Sequence, residues 1–419
     1  MAQAGYADVV AVVAGPRLLS GILYGPALPE HRRIWPAPPR PSARELLAVL
    51  GMSGIAGRGG AGFPFVRKVA TAVQSGRRRE LVVNGSEGEP GSAKDSALLT
   101  TAPHLVLDGA QAVASALRVD HAHIVVPGER PAVEHAVRAA LAERRNESGL
   151  DWTVHVTAGG FVGGQARAVL ELIAGRPNLP VTSWTPEAVS GLNGRPTLLS
   201  NAETFAQAAA LLALGPAGYA RQGTAEEPGT TLLTVAGDGP DGVVLEVPHG
   251  ARLVDCLAVA GYDASSPLLV GGYHGGWLTA DEVLRRRVSR SDLAQAGVSL
   301  GAGVLLPVDP QACPVAITAR VVAYLTRQSA GRCGPCRFGL PALSAALNAL
   351  AEGSRRPARA RAEEVAALVT GRGACAHPDG TARLLRSLLQ VFPAEVAAHE
   401  RGRCTAVGVS GPMSAAGAR

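Results

Sequence analysis

Two cysteines separated by two residues carry the most specific chemical signal in the sequence. Cys333 and Cys336 stand in a C-G-P-C motif, and this spacing lets two thiolates reach one metal ion or one iron–sulfur cluster. The same spacing forms the redox dithiol of thioredoxin-like proteins, which place it after a strand. Here the motif follows a predicted helix and the turn QSAGR. The sequence therefore favours a pair of metal or cluster ligands, with a zinc site completed by a further ligand as an alternative.

A glycine-rich loop at residues 57–64, GRGGAGFP, has the composition of a phosphate site. Four glycines in its first six residues let the backbone approach a ligand closely and turn N–H groups toward an anion. A helix is predicted directly after the loop, and its N-terminus favours an anion as well. Lys68 on that helix supplies a mobile cation. Lys68 and Lys94 are the only lysines among 40 basic residues, although a loop of this kind also serves as an ordinary turn.

Three further loops carry polar or glycine residues at predicted strand–helix junctions. The loop at 84–91, NGSEGEPG, follows the strand-like run LVV, where ligands bind in open parallel sheets. Its Asn can bond a ring edge and its carboxylates can accept from sugar hydroxyls, although a solvated turn has the same composition. The loops GGFVGG at 159–164 and RPTLLSNAET at 195–204 each precede a predicted helix.

The elements around these loops predict an α/β domain over residues 44–225. Short apolar runs at 81–84 and 123–126 are typical of buried parallel strands. They alternate with helical spacing at 131–144 and 163–174. Such alternation favours a mainly parallel sheet.

The rest of the chain predicts four other segments. Residues 1–43 are rich in proline and predict a tail or an irregular lead-in. Residues 226–308 combine strand-like runs with one helical segment, which predicts a small α+β module. Residues 309–402 have helical spacing throughout and predict a small bundle. Residues 403–419 predict a frayed tail.

Composition narrows the class of protein. Apolar residues make up 47% of the 419, enough for a core, and no run approaches the roughly 18 apolar residues of a membrane span. The N-terminus lacks the pattern of a signal peptide, and six cysteines then favour metal or redox roles in a reducing cytoplasm. The net charge is +6, but the arginines are spread along the chain without a basic stripe, so nucleic acid is not expected as a partner.

Together and in this order, the four loops and the cysteine motif resemble the flavin-bearing subunit of respiratory complex I and of related NAD-linked hydrogenases and formate dehydrogenases. The resemblance covers roughly residues 50–400. It implies a Rossmann-like α/β domain that holds FMN, a β-grasp module of the soluble-ligand-binding type at 226–308, and a C-terminal helical bundle with a [4Fe-4S] cluster at 309–402.

The resemblance also implies which residues bind the flavin and the nucleotide. It places one group of residues on the side of the FMN phosphate and a second group in the loop at 84–91, the acidic loop. In that loop, Glu89 lies on the side where the family binds NADH. The third and fourth loops supply the remaining positions. The implied cofactor-binding residues are Gly57, Arg58, Gly59, Gly60, Gly62, Lys68, Asn84, Glu87, Glu89, Phe161, Gly164, Asn201, Glu203 and Thr204.

For the cluster, the family pattern has four cysteines, and this chain matches three of them. Cys333, Cys336 and Cys375 align with family ligands, whereas Ala330 stands at the position of the first. Three thiolates are enough for a [3Fe-4S] cluster, and a [4Fe-4S] cluster would need an outside ligand on its fourth iron. His377, Cys313 and Cys404 are the candidates for that ligand. Absence of any cluster is the third alternative.

The half of the site that would hold NADH departs from the family pattern. Ser86 replaces an aspartate, and Gln165 and Ala166 replace two glutamates. The family stacks the adenine on aromatic residues, and in the corresponding stretch only Trp184 is aromatic. The residues that would hold FMN therefore match the family pattern more fully than those that would hold NAD(H).

These observations lead to one preferred function and two alternatives. The preferred function is an NADH dehydrogenase-like flavoprotein that passes electrons between NAD(P)H and an iron–sulfur, quinone or ferredoxin chain, without a catalytic acid or base. The first alternative is an FMN and iron–sulfur relay fed by a ferredoxin-like or membrane redox partner. The second is a structural paralogue without cofactors. The expected location is the cytoplasm, at the inner face of the membrane where a partner holds the chain there.

Overall fold

The structure, a computed structural model, describes residues 6–7, 10–75, 78–147, 149–237, 242–353 and 357–406. The strands are β1 Tyr6–Ala7, β2 Val10–Val12, β3 Glu80–Asn84, β4 His121–Val126, β5 Asp151–Val156, β6 Thr197–Asn201, β7 Thr230–Val235, β8 Val243–Pro248, β9 Leu268–Val270, β10 Gly276–Leu278 and β11 Val304–Pro307. The helices are α1 Leu28–Ile34, α2 Ala43–Ser53, α3 Phe65–Gln74, α4 Lys94–Thr101, α5 Pro103–Leu117, α6 Pro131–Glu143, α7 Ala166–Ile173, α8 Ala202–Tyr219, α9 Leu253–Val259, α10 Ala280–Arg285, α11 Arg290–Gln295, α12 Pro314–Arg327, α13 Leu340–Ala351, α14 Ala358–Val369, α15 His377–Val391 and α16 Pro393–Glu400. A π-helical turn, Pro335–Gly339, precedes α13.

The first of two sheets is parallel and has the strand order β5-β4-β3-β6. Its central strand β3 is buried on both faces, as its apolar run requires. Leu81 and Val83 point into one core with α5 and α8, while Val82 points the other way, against Val169 and Leu170 of α7. The predicted α/β arrangement with a parallel sheet is confirmed.

The register of this sheet aligns the ends of two strands that carry predicted site residues. Asn84 at the carboxyl end of β3 is the register partner of Asn201 at the carboxyl end of β6. Because parallel strands end at the same edge, the loops at 84–91 and 201–204 leave the sheet side by side. The α3 helix, which begins directly after the glycine-rich loop, contacts β6 at the same edge.

The second sheet is mixed and has the strand order β1-β2-β8-β7-β11-β9-β10. The prediction of an irregular lead-in at 1–43 is wrong where the chain forms β1 and β2. Ala11 and Val12 of β2 pair with Val243 and Val244 of β8. The chain is held there by Glu246, whose carboxylate accepts from the backbone N–H groups of residues 17, 18 and 19 at 2.9–3.0 Å. The segment was predicted to be irregular because it is rich in proline. Its short apolar strand forms only by pairing with the edge of the sheet.

The helices α12 to α16 surround one apolar core. Leu343, Leu347 and Leu350, which share a face in the sequence, are all buried there together with Leu325 and Leu385. This packing follows from the 3.6-residue period of the apolar positions. Residues 403–406 follow α16, and the rest of the predicted tail, 407–419, lies outside the described residues. Over the described ranges, no helix combines the length and apolar character needed to span a membrane.

The close crossing of α5 and α8 depends on a glycine. A methyl group on Gly109 would lie 1.8 Å from the carbonyl oxygen of Phe205. We expect Gly109→Ala to force the two helices apart and lower the free energy of unfolding by about 1–3 kcal/mol. Gly51→Ala is the matched control in α2, because a methyl group there meets nothing within 4 Å and should be neutral or stabilising by up to about 1 kcal/mol. The free energy of urea unfolding of both variants checks this expectation. Equal free energies for the two variants would contradict the dependence of the helix crossing on Gly109.

Candidate cofactor site

A cavity of about 680 Å³ opens at the carboxyl edge of the parallel sheet, between that sheet and the second sheet. Its volume lies in the range that proteins use for cofactors and other small molecules. Loops from both halves of the chain form its walls, including Gly271 and Gly301 from the second sheet. The predicted residues that line it are Arg58, Gly59, Gly60, Asn84, Glu87, Glu89, Phe161, Gly164 and Asn201.

The glycine-rich loop is a tight turn that presents backbone to the cavity. The N–H of Gly57 donates to the carbonyl of Phe63 at 2.8 Å and closes the turn. Gly60 has a φ of +102°, a conformation that favours glycine, and a methyl group on it would lie 3.6 Å from the backbone of Gly301. Gly57 and Gly62 do not line the cavity but shape the turn, with Gly62 against the side chain of Arg290. The loop can therefore approach an anion with its N–H groups.

The side chain of Arg58 points away from the cavity. Its guanidinium donates to the carbonyl of Thr230 at 2.9 Å and lies 2.8 Å from Nε2 of His249. Burial and the charges of Arg58 and Arg290 lower the pKa of His249 to about 2, so the imidazole is neutral and accepts from Arg58. The Arg58 N–H donates to Oγ1 of Thr204 at 3.0 Å. Arg58 and Thr204 thus hold the loop against β7 and α8.

Lys68 is not brought to the cavity wall. Its Nζ donates to the carbonyl of Leu199 in β6 at 3.1 Å, and burial lowers its pKa below the ordinary value despite the nearby Glu187. The ammonium is engaged with β6 and does not line the cavity. Direct contact between Lys68 and a phosphate stays a prediction.

Lys94 is a functional position that the sequence resemblance did not assign to the site. Its Nζ is buried below the cavity, 2.9 Å from Oδ2 of Asp95, 3.0 Å from Oε2 of Glu203 and 3.4 Å from Oδ1 of Asn201. Burial opposes the charged form, but the two carboxylates outweigh it and raise the pKa of Lys94. We call these four residues the floor network. In the sequence, Lys94 was marked only by the scarcity of lysine, since it is one of two lysines in the chain.

Glu87 uses its carboxylate within the protein. It accepts from the N–H groups of Asp95 and Ser96, both at 2.9 Å, at the start of α4, and from Arg130 at 2.7 Å. Burial raises its pKa, but Arg130 and the hydrogen bonds outweigh burial and bring it below the ordinary value. Glu87 therefore fixes the acidic loop and the N-terminus of α4, and its charge is engaged in these contacts within the protein.

The carboxyl group of Glu89 makes fewer hydrogen bonds within the protein than that of Glu87. It lies partly exposed to the cavity, and its Oε1 accepts one backbone hydrogen bond, from Tyr273 at 3.0 Å. Loss of solvent around it raises its pKa to about 8, against the opposing effect of that bond. The group is therefore largely protonated at neutral pH and can donate as well as accept a hydrogen bond.

The third glycine loop closes the cavity from the opposite side. Asn84 Nδ2 donates to the carbonyl of Gly164 at 3.0 Å, and a methyl group on Gly88 would lie 2.6 Å from the carbonyl of Phe161. This close approach brings Phe161 and Gln165 to the cavity wall. Trp184 lies elsewhere, 95% exposed, in a separate surface pocket of about 380 Å³.

The structure brings the three cysteines of the family pattern together. Cys336 is buried in the π-helical turn, and Cys333 and Cys375 are half-buried beside it. Burial and the two neighbouring thiols raise the pKa of Cys336 to about 12. We call Cys333, Cys336 and Cys375 the cysteine triad. Ala376, directly after Cys375, lines the cavity, so the triad and the cavity share a wall.

The candidates for an outside ligand to the triad are not supported. Nε2 of His377 lies 2.8 Å from the carbonyl of Leu325, and its Nδ1 lies 3.1 Å from Nε2 of His274, so both ring nitrogens are engaged. Cys313 and Cys404 lie close to each other beside the N-terminal end of α12. The triad begins beyond the C-terminal end of that 14-residue helix, about 20 Å away along its axis.

Three aromatic rings pack together at the cavity wall, where Phe161 and His274 line the cavity and His377 packs against both. The ring of Phe161 is 4.5 Å from that of His274 and 5.4 Å from that of His377, which is two residues from Cys375. Burial lowers the pKa of both histidines, so the rings are neutral at pH 7. His274 comes from the second sheet, and no local sequence pattern marked it as a cavity residue.

Two family models match the chain at the places where these two sites lie. The Nuo51 FMN-binding domain matches residues 50–210, and the NADH-ubiquinone oxidoreductase-F iron-sulfur binding region matches residues 316–399. The first range holds the glycine-rich, acidic and Asn201 loops, and the second holds the cysteine triad. The fold and the two matches define a flavoprotein subunit with an iron–sulfur region.

Individual relatives narrow this class to one family. The F subunit of NADH-quinone oxidoreductase from Streptomyces coelicolor is 33% identical over 375 residues, which cover 86% of this chain and 84% of the relative. The F subunit from Mycobacterium tuberculosis is 30% identical over 383 residues, 85% of each chain. The chain therefore belongs to the family of NADH-quinone oxidoreductase F subunits, and the resemblance found in the sequence is confirmed.

Solved structures agree with this assignment. The chain is similar to a chain of the NAD⁺-reducing [NiFe]-hydrogenase in the air-oxidised state, with a TM-score of 0.81 and 26% identity, over 93% of this chain and 68% of that one. In the H₂-reduced state the TM-score is 0.77, over 85% of this chain and 62% of that one. The chain thus spans about two thirds of the hydrogenase chain that it matches.

The raised pKa of Glu89 predicts a pH dependence of stability. Since the folded state holds the proton up to about pH 8 and the unfolded state releases it near 4.5, this group's contribution to stability is complete below pH 4.5 and is lost as the pH rises through 8. We expect Glu89→Gln to remove a slope of up to about 1.4 kcal/mol per pH unit in that window.

The measurement is the free energy of urea unfolding from pH 5 to 9. Glu87→Gln is the matched control, because its carboxylate has a lowered pKa, and this variant should be less stable than the wild type at neutral pH. Parallel curves for the wild type and Glu89→Gln would show that Glu89 titrates normally.

Proposed function

We propose that this chain is an electron-input subunit, which carries FMN in the cavity and an iron–sulfur cluster on the cysteine triad and passes electrons from NAD(P)H to an iron–sulfur chain. The observation that carries the proposal is the shared wall: Ala376 lines the cavity, and Cys375 belongs to the triad. Redox groups held in the cavity and on the triad would adjoin this shared wall, across which electrons would pass from one to the other. Family membership supports the same conclusion.

The residues around the cavity fit a flavin phosphate and ring. Gly59 and Gly60 would direct backbone N–H groups at the phosphate, with the positive potential of Lys68 behind them. Asn84 and Asn201, fixed by the parallel register, would bond the polar edges of the ring and the ribityl chain. Bound FMN would supply the ability to accept a hydride and release electrons singly. The protein would position that ring and keep water from it.

The nucleotide would enter from the side of Glu89 and Gln165. Glu89, largely protonated at pH 7, would offer a hydrogen bond without repelling the phosphates. Arg383 of α15 lines the same cavity and supplies a cation. The replacement of two family glutamates by Gln165 and Ala166 removes carboxylates that would accept from sugar hydroxyls. This observation favours one second candidate, in which the chain relays electrons from an iron–sulfur partner and does not oxidise NADH.

The cysteine triad fits a cluster held by three thiolates. Ala330 packs against the same core at the position where the family has a fourth cysteine. In the part of the chain that the structure describes, the two other cysteines considered as ligands lie at the far end of α12. We therefore assign a [3Fe-4S] cluster to this chain, with Cys333, Cys336 and Cys375 as its ligands.

The finer division of the chain belongs to the same proposal. Residues 44–225 would form the FMN domain, 226–308 a β-grasp module and 309–402 the cluster domain. The β-grasp assignment is supported by the packing of α9, after β8, against the sheet of β7, β8 and β11. The module contributes Gly271 and Gly301 to the cavity wall. It would thus close the flavin site from one side.

The electron acceptor would be an iron–sulfur subunit of the same assembly. A net charge of +6 suits an acidic, ferredoxin-like partner, because complementary charges steer association. Through such a partner the chain would work at the cytoplasmic face of a membrane.

Anaerobic purification followed by a visible spectrum, iron analysis and addition of NADH tests the function. We expect a flavin spectrum and about three irons per chain, with bleaching when NADH is added. A flavin and iron that stay oxidised with NADH but are reduced by a reduced ferredoxin would establish the relay instead. Protein that takes up neither FMN nor iron on reconstitution would overturn both.

The cluster type is tested by restoring the missing family cysteine. The wild type, as isolated, should show the EPR signal of an oxidised three-iron cluster. Ala330→Cys should lose this signal and gain about one iron per chain, because the fourth thiolate holds the fourth iron. Ser329→Cys, one position away, is the matched control and should resemble the wild type. A wild type that is EPR-silent as isolated with four irons per chain would contradict the three-iron assignment.

A further inference from the structure

A second group of metal-ligating side chains lies at the N-terminal end of α12. Cys313, Glu395, His399 and Cys404 each offer one ligand atom, and these atoms all lie within 4.8 Å of one another. We propose that these four residues bind one zinc ion, which fastens the segment after α16 to the start of α12. We call them the zinc group. The proposal is independent of FMN, of the cysteine triad and of the proposed function.

The distances within the group suit a tetrahedral ion. Sγ of Cys313 lies 3.2 Å from Nε2 of His399 and 3.9 Å from Oε1 of Glu395, and the last two atoms lie 3.2 Å apart. Zinc bonds to sulfur, nitrogen and oxygen predict ligand-to-ligand separations of about 3.4–3.8 Å in a tetrahedron. For these three atoms, binding therefore needs movements of only a few tenths of an ångström, and the Sγ of Cys404 lies within 4.8 Å of each of them.

The ligands are already oriented by their own hydrogen bonds. Nδ1 of His399 lies 3.2 Å from the carbonyl of Leu350, to which it donates, and this leaves the lone pair of Nε2 facing the group. The carboxylate of Glu395 accepts from the N–H of Thr405 at 3.1 Å and from its hydroxyl. Such outer contacts fix the tautomer and rotamer of metal ligands in known zinc sites.

The first ligand lies at the N-terminal end of a helix. Cys313 is the N-cap of α12, and its Sγ accepts from the N–H of Ala316 at 3.4 Å. Burial raises the pKa of the free thiol above its ordinary value despite this bond, so zinc would bind with release of the thiol proton. Cys313 and Cys404 are 91 positions apart in the sequence, so the packing of the helices between them brings them together.

The donor set identifies the metal class. Two thiolates, one imidazole and one carboxylate suit a borderline-soft ion with four ligands, which describes zinc, whereas magnesium and calcium take oxygen ligands only. All four positions are supplied by the protein, as in structural rather than catalytic zinc sites. Cys404 is exposed and gives the ion a path of entry.

Zinc analysis of the full chain tests the proposal. After incubation with Zn²⁺ and gel filtration, the wild type should hold about one zinc per chain, and Cys404→Ser should hold about tenfold less or lower, since a ligand is lost. Arg403→Ser, an exposed neighbour, is the matched control and should keep the zinc. Cys333→Ser should lose iron and keep zinc, which separates this site from the cysteine triad.

Thermal unfolding provides a second readout that does not depend on chemistry at the flavin. A zinc chelator should lower the Tm of the wild type and leave Cys404→Ser unchanged, because only the former has an ion to lose. Three results would overturn the proposal: less than about one tenth of a zinc per loaded wild-type chain, equal zinc in the wild type and Cys404→Ser, or a Cys313–Cys404 disulfide in the intact mass of protein isolated without reductant.

Discussion

The buried ammonium of Lys94 is the interaction on which the cavity depends. Asp95, Glu203 and Asn201 enclose it, and these residues come from α4, α8 and the end of β6. A charge removed from water is tolerated only when it is paired and hydrogen-bonded, and removal of one partner from such a group costs about 3–5 kcal/mol. The floor network therefore fixes two helices and one strand end relative to one another. The loops that would hold a flavin stand on this base.

The loops themselves are placed by close backbone approach. Gly60, Gly88 and Gly164 each lie where a side chain would strain the backbone or meet another loop. Arg58 and Glu87, which the resemblance places among the cofactor-binding residues, direct their charged groups to other parts of the protein and hold the glycine-rich and acidic loops in place. A site built this way offers N–H groups and amides to its ligand and uses its charges for support.

Prediction from sequence succeeded where the signal was local. Runs such as LVVN predicted buried parallel strands, and regular spacing predicted the helices around Leu343 and Leu347. It failed for β1 and β2, because two- and three-residue strands have no recognisable period and exist only through pairing with β8. No local pattern indicated the direction of the Arg58 side chain, since its partners come from β7 and from the loop after β8.

The sequence by itself determined the family, the parallel sheet, the glycine-rich loops and the three cysteines with Ala330 in place of a fourth, because these depend on residue type and short spacing. Only the tertiary structure decided that Cys313 and Cys404 meet each other with His399 and Glu395, at the far end of α12 from the triad. It also decided that His274 and His377 join Phe161 beside the cavity. These contacts join residues about 80 to 220 positions apart, and loop closure over such lengths depends on the packing of whole elements rather than on any local pattern.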